Sequence, residues 1–147
     1  MADYAKLTTD SGQQANMLEE MLHIKIGGKD VLVRSSQIKE VVRPTALTPA
    51  PMGPDHIIGL ANIHGQIICI IDAGGITSLP ASNRQASART RFLVLRHPEM
   101  HVGIWADEVC KISRVDRAVI DQMDDSVVQI DVENRSFDIL ECSMLLH

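Results

Sequence analysis

The chain predicts an all-β fold built from small barrels, and three observations carry that prediction. Its apolar residues fall into short runs, either alternating with polar residues or continuous over a few positions, which is strand rather than helix spacing. Glycine, proline, asparagine and aspartate recur between those runs at close intervals, so each strand is followed by a tight connection. With 147 residues, 45% of them apolar, the chain is long enough for one domain with a real core, or for two small barrels that share one.

Residues 1–17 are polar, with Gly12 and two glutamines, and read as a flexible tail. Leu22, Ile24 and Ile26 alternate with His23 and Lys25, and Gly27-Gly28-Lys29-Asp30 turns the chain into Val31-Leu32-Val33, a first hairpin. Ser35-Ser36 offers an N-cap for a short helix over Gln37-Ile38-Lys39-Glu40-Val41-Val42, stopped by Pro44. Pro49, Pro51 and Pro54 force an extended connection. Ile57 to Asp72 reads as two strands joined at a turn: Asn62 and Gly65 suit left-handed conformations, and Ile67 to Ile71 is an apolar run buried on both faces. Residues 77–90 lack apolar periodicity and read as an exposed linker between lobe one (21–76) and lobe two (91–147). Phe92 to Arg96 and His101 to Asp107 flank His97-Pro98-Glu99-Met100 as a second hairpin, which Val109 and Ile112 continue. Asp121 to Asp125 is an acidic loop, Val127 to Asp131 and Phe137 to Leu140 are strands around Glu133-Asn134-Arg135, and Met144-Leu145-Leu146 docks as a short helix.

A net charge of −5 without any basic run argues against a nucleic-acid surface and for a protein partner. No stretch has the length of a membrane span and Met1 to Lys6 starts no signal peptide, so a cytoplasmic location is expected. Cys69, Cys110 and Cys142, odd in number and set in apolar segments, read as reduced core thiols. Asn134-Arg135-Ser136 matches a glycosylation sequon that a chain without a secretory signal does not use.

Catalytic and metal readings are weak. His97 and His101 stand four apart, but Pro98 makes the segment a hairpin tip rather than the helix that a metal pair at that spacing needs. Cys69 sits between Ile68 and Ile70, where a thiol is inert rather than nucleophilic. Gly74-Gly75 lacks the following Lys-Ser or Lys-Thr of a phosphate loop. No enzyme activity, cofactor or metal is expected.

The run Ile57 to Asp72 resembles the signature of the CheW family of chemotaxis coupling proteins, roughly G-h-x-N-L-R-G-x-h-h-P-h-h-D with h apolar. Gly59, Asn62, Gly65 and Asp72 are in register, while His64 replaces the arginine and Cys69 the proline. Gln37 to Val41 is similar to the family's V-x-E-I element, and Thr48-Pro49-Ala50-Pro51 to its proline-bearing loop. Val102 to Val109 resembles V-G-h-h-V-D-x-V, and Ile139 to Leu146 resembles the closing L-L-D-L-x-x-L-L with Glu141 for aspartate. The pieces keep their order across nearly everything after the tail.

The resemblance implies two SH3-like, five-stranded barrel lobes sharing a hydrophobic core, with one or two short helices, in a single domain over 18–147. It implies a non-catalytic adaptor between the cytoplasmic tips of chemoreceptors and the regulatory domain of a CheA-type histidine kinase. Carried over position by position, receptor contacts fall on Ile38, Glu40, Gly59, Asn62 and His64; the kinase-contacting residues are not assigned. Besides His64, Ala73-Gly74-Gly75 departs from the family's D-L-R sequence and loses a second basic residue, as in a divergent member serving a pilus or other non-flagellar array. The alternative is a small-barrel module for a ligand or nucleic acid, which would need a basic, aromatic-lined strand face.

Overall fold

The computed structural model describes residues 17–50, 53–122, 125–132 and 134–145. The tail through residue 16, Pro51, Met123, Asp124, Glu133 and Leu146 lie outside them. Among the described residues eleven strands form two sheets. The first holds β1 (Leu18–Ile26), β2 (Lys29–Arg34), β9 (Glu108–Asp116), β10 (Val127–Val132) and β11 (Arg135–Leu140) in the order β10-β11-β2-β1-β9. The second holds β3 (Ile38–Val42), β4 (Leu47–Thr48), β5 (Ile57–Ile63), β6 (Gln66–Ile71), β7 (Arg91–Leu95) and β8 (Val102–Ala106) in the order β3-β7-β8-β6-β5-β4. The all-β fold of two SH3-like lobes is as the sequence predicts, with the two-residue β4 as a sixth strand in the second sheet.

Strand alternation sorts the apolar residues into three layers. Met21, Leu32, Phe137 and Ile139 fill the first lobe, and Ala61, Ile68, Ile70, Phe92 and Trp105 fill the second. The opposite faces of the same strands meet in between: Leu22, Ile24, Val31 and Val33 from one sheet pack with Ile71, Leu93, Leu95 and Ile104 from the other. Period two is what gives each strand one residue for its own lobe and the next for the shared core.

Sheet membership does not follow a division at residues 77–90. The first hairpin pairs with the C-terminal strands, through antiparallel β1–β9 and parallel β2–β11. The second-half hairpin β7–β8 instead joins β3 and β6. The first lobe therefore needs strands from both ends of the chain, while the second is the continuous run from β3 to β8 between them. Residues 77–90 are irregular but not simply an exposed linker, since Leu79, Ser82 and Thr90 are buried.

Three local expectations change. The helix expected over 37–42 is a single 3₁₀ turn, Ser35–Gln37, followed by strand β3. Ile38, Val41 and Val42 are β-branched, and pairing with β7 outweighs the Ser35-Ser36 cap signal. A short helix α1 (Arg117–Asp121), capped by Asp116 accepting from the Ala118 N–H, takes in Asp121, the first residue of the expected acidic loop; Met123 and Asp124 of that loop lie outside the described residues. Cys110 is exposed rather than core; it sits where a bulge shifts the β1–β9 register. The C-terminal turn is a 3₁₀ helix, Cys142–Leu145.

Candidate functional site

The β5–β6 connection is a two-residue turn in which His64 (φ 55°) and Gly65 (φ 82°) are both left-handed. That is the type I′ geometry whose twist matches the flanking strands. Asn62 does not take the left-handed role expected of it: it stays in β5, and its Oδ1 accepts the Gly65 N–H at 3.0 Å. The histidine thus stands on the turn, its side chain 73% exposed.

β3 approaches this turn from the other edge of the sheet surface. Glu40 Oε2 lies 3.2 Å from His64 Nε2, so the two carried-over polar residues meet across 24 positions of sequence. A shallow groove runs between them over Lys39, Gln66 and Val94. Glu40, Asn62 and His64 are therefore brought together on one surface. Ile38 and Gly59 are not on it. Ile38 is buried in the shared core beneath β3. Gly59 is buried in β5, where a Cβ would come within 3.0 Å of the Leu47 Cβ and 3.1 Å of the Thr48 carbonyl oxygen.

Ile67 is a residue the sequence reading missed. Only Ile68 to Ile71 of the apolar run are covered; Ile67 is 56% exposed, directly across from Asn62 in the antiparallel register. No local signal separates it from its buried neighbours, because exposure at that end depends on where the first lobe stops.

The motif aspartates hold the scaffold behind the site. Asp72 is fully buried and accepts from the N–H groups of Gly74 (3.1 Å) and Ser82 (3.0 Å) and from Arg84 Nε (3.0 Å). Arg84 also donates to the Asp55 carbonyl. Arg84 thus supplies a guanidinium at Asp72 although the D-L-R arginine is missing. Asp107 accepts from Trp105 Nε1 and from the Gly27 and Asn83 N–H groups. Together they pin residues 80–84 across both lobes.

Glu141 closes the far side. Burial pushes its carboxyl up, but hydrogen bonds from Gln37, the Ser143 hydroxyl and the Ser143 N–H, with Arg34 nearby, outweigh burial and hold it below the ordinary value. Asp30 is likewise lifted by burial but lowered further by His23 and Arg135. Burial raises the thiols of Cys69 and Cys142, as expected of unreactive sulfurs. His97 Nδ1 accepts the N–H groups of Glu99 and Met100, which uses the ring to close the hairpin tip.

Comparison with known proteins gives a consistent result. The CheW-like domain family profile matches residues 20–136. The chain is similar to the chemotaxis protein CheW of Helicobacter pylori, 26% identical over 69% of this chain and 61% of the relative. It is also similar to the chemotaxis protein CheW of Bacillus subtilis, 22% identical over 87% of this chain and 86% of the relative. Protein FrzA of Myxococcus xanthus is 28% identical over 69% of this chain and 62% of that protein. The matched stretch thus spans less than two thirds of the Helicobacter and Myxococcus proteins. In fold, the chain resembles the crystal structure of scaffolding protein TtCheW from Thermoanaerobacter tengcongensis, with a TM-score of 0.68 over 84% of both chains and 16% identity.

Proposed function

The chain belongs to the CheW-like domain family, and on that premise we propose that it is a non-catalytic adaptor bridging chemoreceptor cytoplasmic tips and the regulatory domain of a CheA-type histidine kinase. The observation that carries the reading is the convergence of Glu40, Asn62 and His64, three positions carried over from the family, on one exposed surface. Ile67, exposed beside Asn62, adds the apolar area that a contact needs at its centre.

The protein works in the cytoplasm, at receptor arrays reached through its partners. No helix of the described residues is long and apolar enough to cross a membrane. The loss of arginine at His64 and of the basic residue after Asp72 fits a divergent member whose array drives a pilus or another non-flagellar output.

The test is titration of the cognate receptor's cytoplasmic fragment with wild type, Glu40→Ala and His64→Ala. Both side chains sit on the surface, and the exposed pair adds little to stability. Each variant is expected to unfold at the wild-type midpoint but bind about tenfold more weakly, a loss of ~1.4 kcal/mol. Unchanged affinity in both would place the receptor contact elsewhere.

A further inference from the structure

We propose that a cleft between Arg43 and Arg91, remote in sequence from the signature turn, binds an acidic peptide segment of a partner protein. The cleft is lined by Arg43, Pro44, Ala86, Ser87, Ala88 and Arg91, without a carboxylate among them. Its two guanidiniums are set by the pairing of β3 with β7: the ladder ends at Val42 opposite Phe92, Arg43 follows just outside β3, and Arg91 is the first residue of β7. Like charges held at one cleft repel unless something neutralises them.

Among the described residues nothing does so. Arg43 is exposed and makes no hydrogen bond or ion pair among the described residues. Among the described residues Arg91 donates through Nη1 alone, to the carbonyls of Ala88 and Thr90, which fixes the side chain with its other donors unpaired there. The adjacent carboxylate, Glu108, is taken by Arg89 at 3.4 Å. Two unneutralised guanidiniums on one cleft, in a protein of net charge −5, make a local site for anions rather than a generally basic surface.

The shape selects a peptide over a compact anion. The cleft shares Ala88 and Arg91 with a second one, lined further by Arg89, Val109 and the Glu108 carboxylate that Arg89 pairs, so the two make a trough rather than a closed pocket. Ala86 and Ala88 keep its wall low, so an extended main chain can lie along it with a carboxylate between the arginines.

The experiment is fluorescence anisotropy of a labelled hexaglutamate peptide titrated with the full chain at about 25 mM salt and again at about 300 mM. Wild type is expected to bind at low salt and to lose most of that binding at high salt. Arg43→Glu is expected to weaken binding at least about tenfold. Lys111→Glu, the same change in net charge on the exposed face of β9, is expected to weaken it less than about twofold. Absence of binding at low salt, or equal losses in the two variants, would overturn the proposal. Displacement of the peptide by inorganic phosphate, but not by chloride at matched ionic strength, would also overturn it, since the cleft would then take a small oxyanion.

Discussion

Gly65 and Gly27 both hold positive φ, but for different reasons, and substitution separates them. A Cβ at Gly65 meets nothing within 4 Å, so replacement there is resisted by backbone strain alone. At Gly27 a Cβ would lie 2.4 Å from the Ala81 carbonyl oxygen, so residues 80–81 would have to move as well. Gly65→Val is expected to cost about 1–3 kcal/mol, and Gly27→Ala to cost more than Gly65→Ala, as read from urea midpoints. Equal midpoints for Gly27→Ala and Gly65→Ala would mean that the close packing on Ala81 carries no energy. At this scale the sequence made the turn legible but not its roles. Glycine and asparagine beside an apolar run mark a tight connection, yet the left-handed residue beside Gly65 is His64, while Asn62 stays in β5 and its side chain accepts the Gly65 N–H.

The stretch from Asp72 to Arg84 shows how an irregular segment is held without secondary structure. Asp72 turns the backbone at Gly74 and Ser82 inward and holds the Arg84 guanidinium, while a Cβ at Gly74 would collide with the Pro80 carbonyl at 2.2 Å. Asp72→Ala leaves the Ser82 N–H buried without its acceptor and Arg84 without its counter-ion. The expected cost is about 3 kcal/mol in denaturant unfolding; a loss below about 0.5 kcal/mol would contradict the anchoring role. Composition alone describes residues 77–90 as a solvated linker, because the anchors are two aspartates outside the segment. The missed β3 has a similar cause. Gln37 to Val42 carries a helix start and a proline stop, but its fate is set by the β7 edge, more than fifty positions away.

Across the whole molecule, the first lobe cannot form from a continuous stretch, because β1–β2 completes its sheet only with β9 to β11, whereas the second sheet is the unbroken run β3 to β8 inserted between them. Periodicity identified the strands and the shared core, but not this nesting, since period two says which face is buried and not which sheet receives the strand. The junction near Glu141 ties β2, the first 3₁₀ turn and the C-terminal turn. Its carboxyl, like that of Asp30, lies below the ordinary value when folded. That stabilisation is complete above the unfolded-state values, 4.5 and 3.8, and disappears as pH falls through the lower folded ones. The urea midpoint is therefore expected to hold from pH 7 to about 5 and then to fall; Glu141→Gln should lower it at pH 7 and flatten the acid limb. An acid limb as steep in Glu141→Gln as in wild type would remove Glu141 from the account. The central claim, that this fold bridges two partners, is tested most directly by sedimentation. Receptor-bearing membranes are mixed with the cognate kinase, with and without the purified chain, and the pelleted kinase is measured. Kinase in the pellet is expected to rise with added chain to saturation and to fall with Glu40→Ala and His64→Ala. Kinase pelleting that is indifferent to the chain would contradict it.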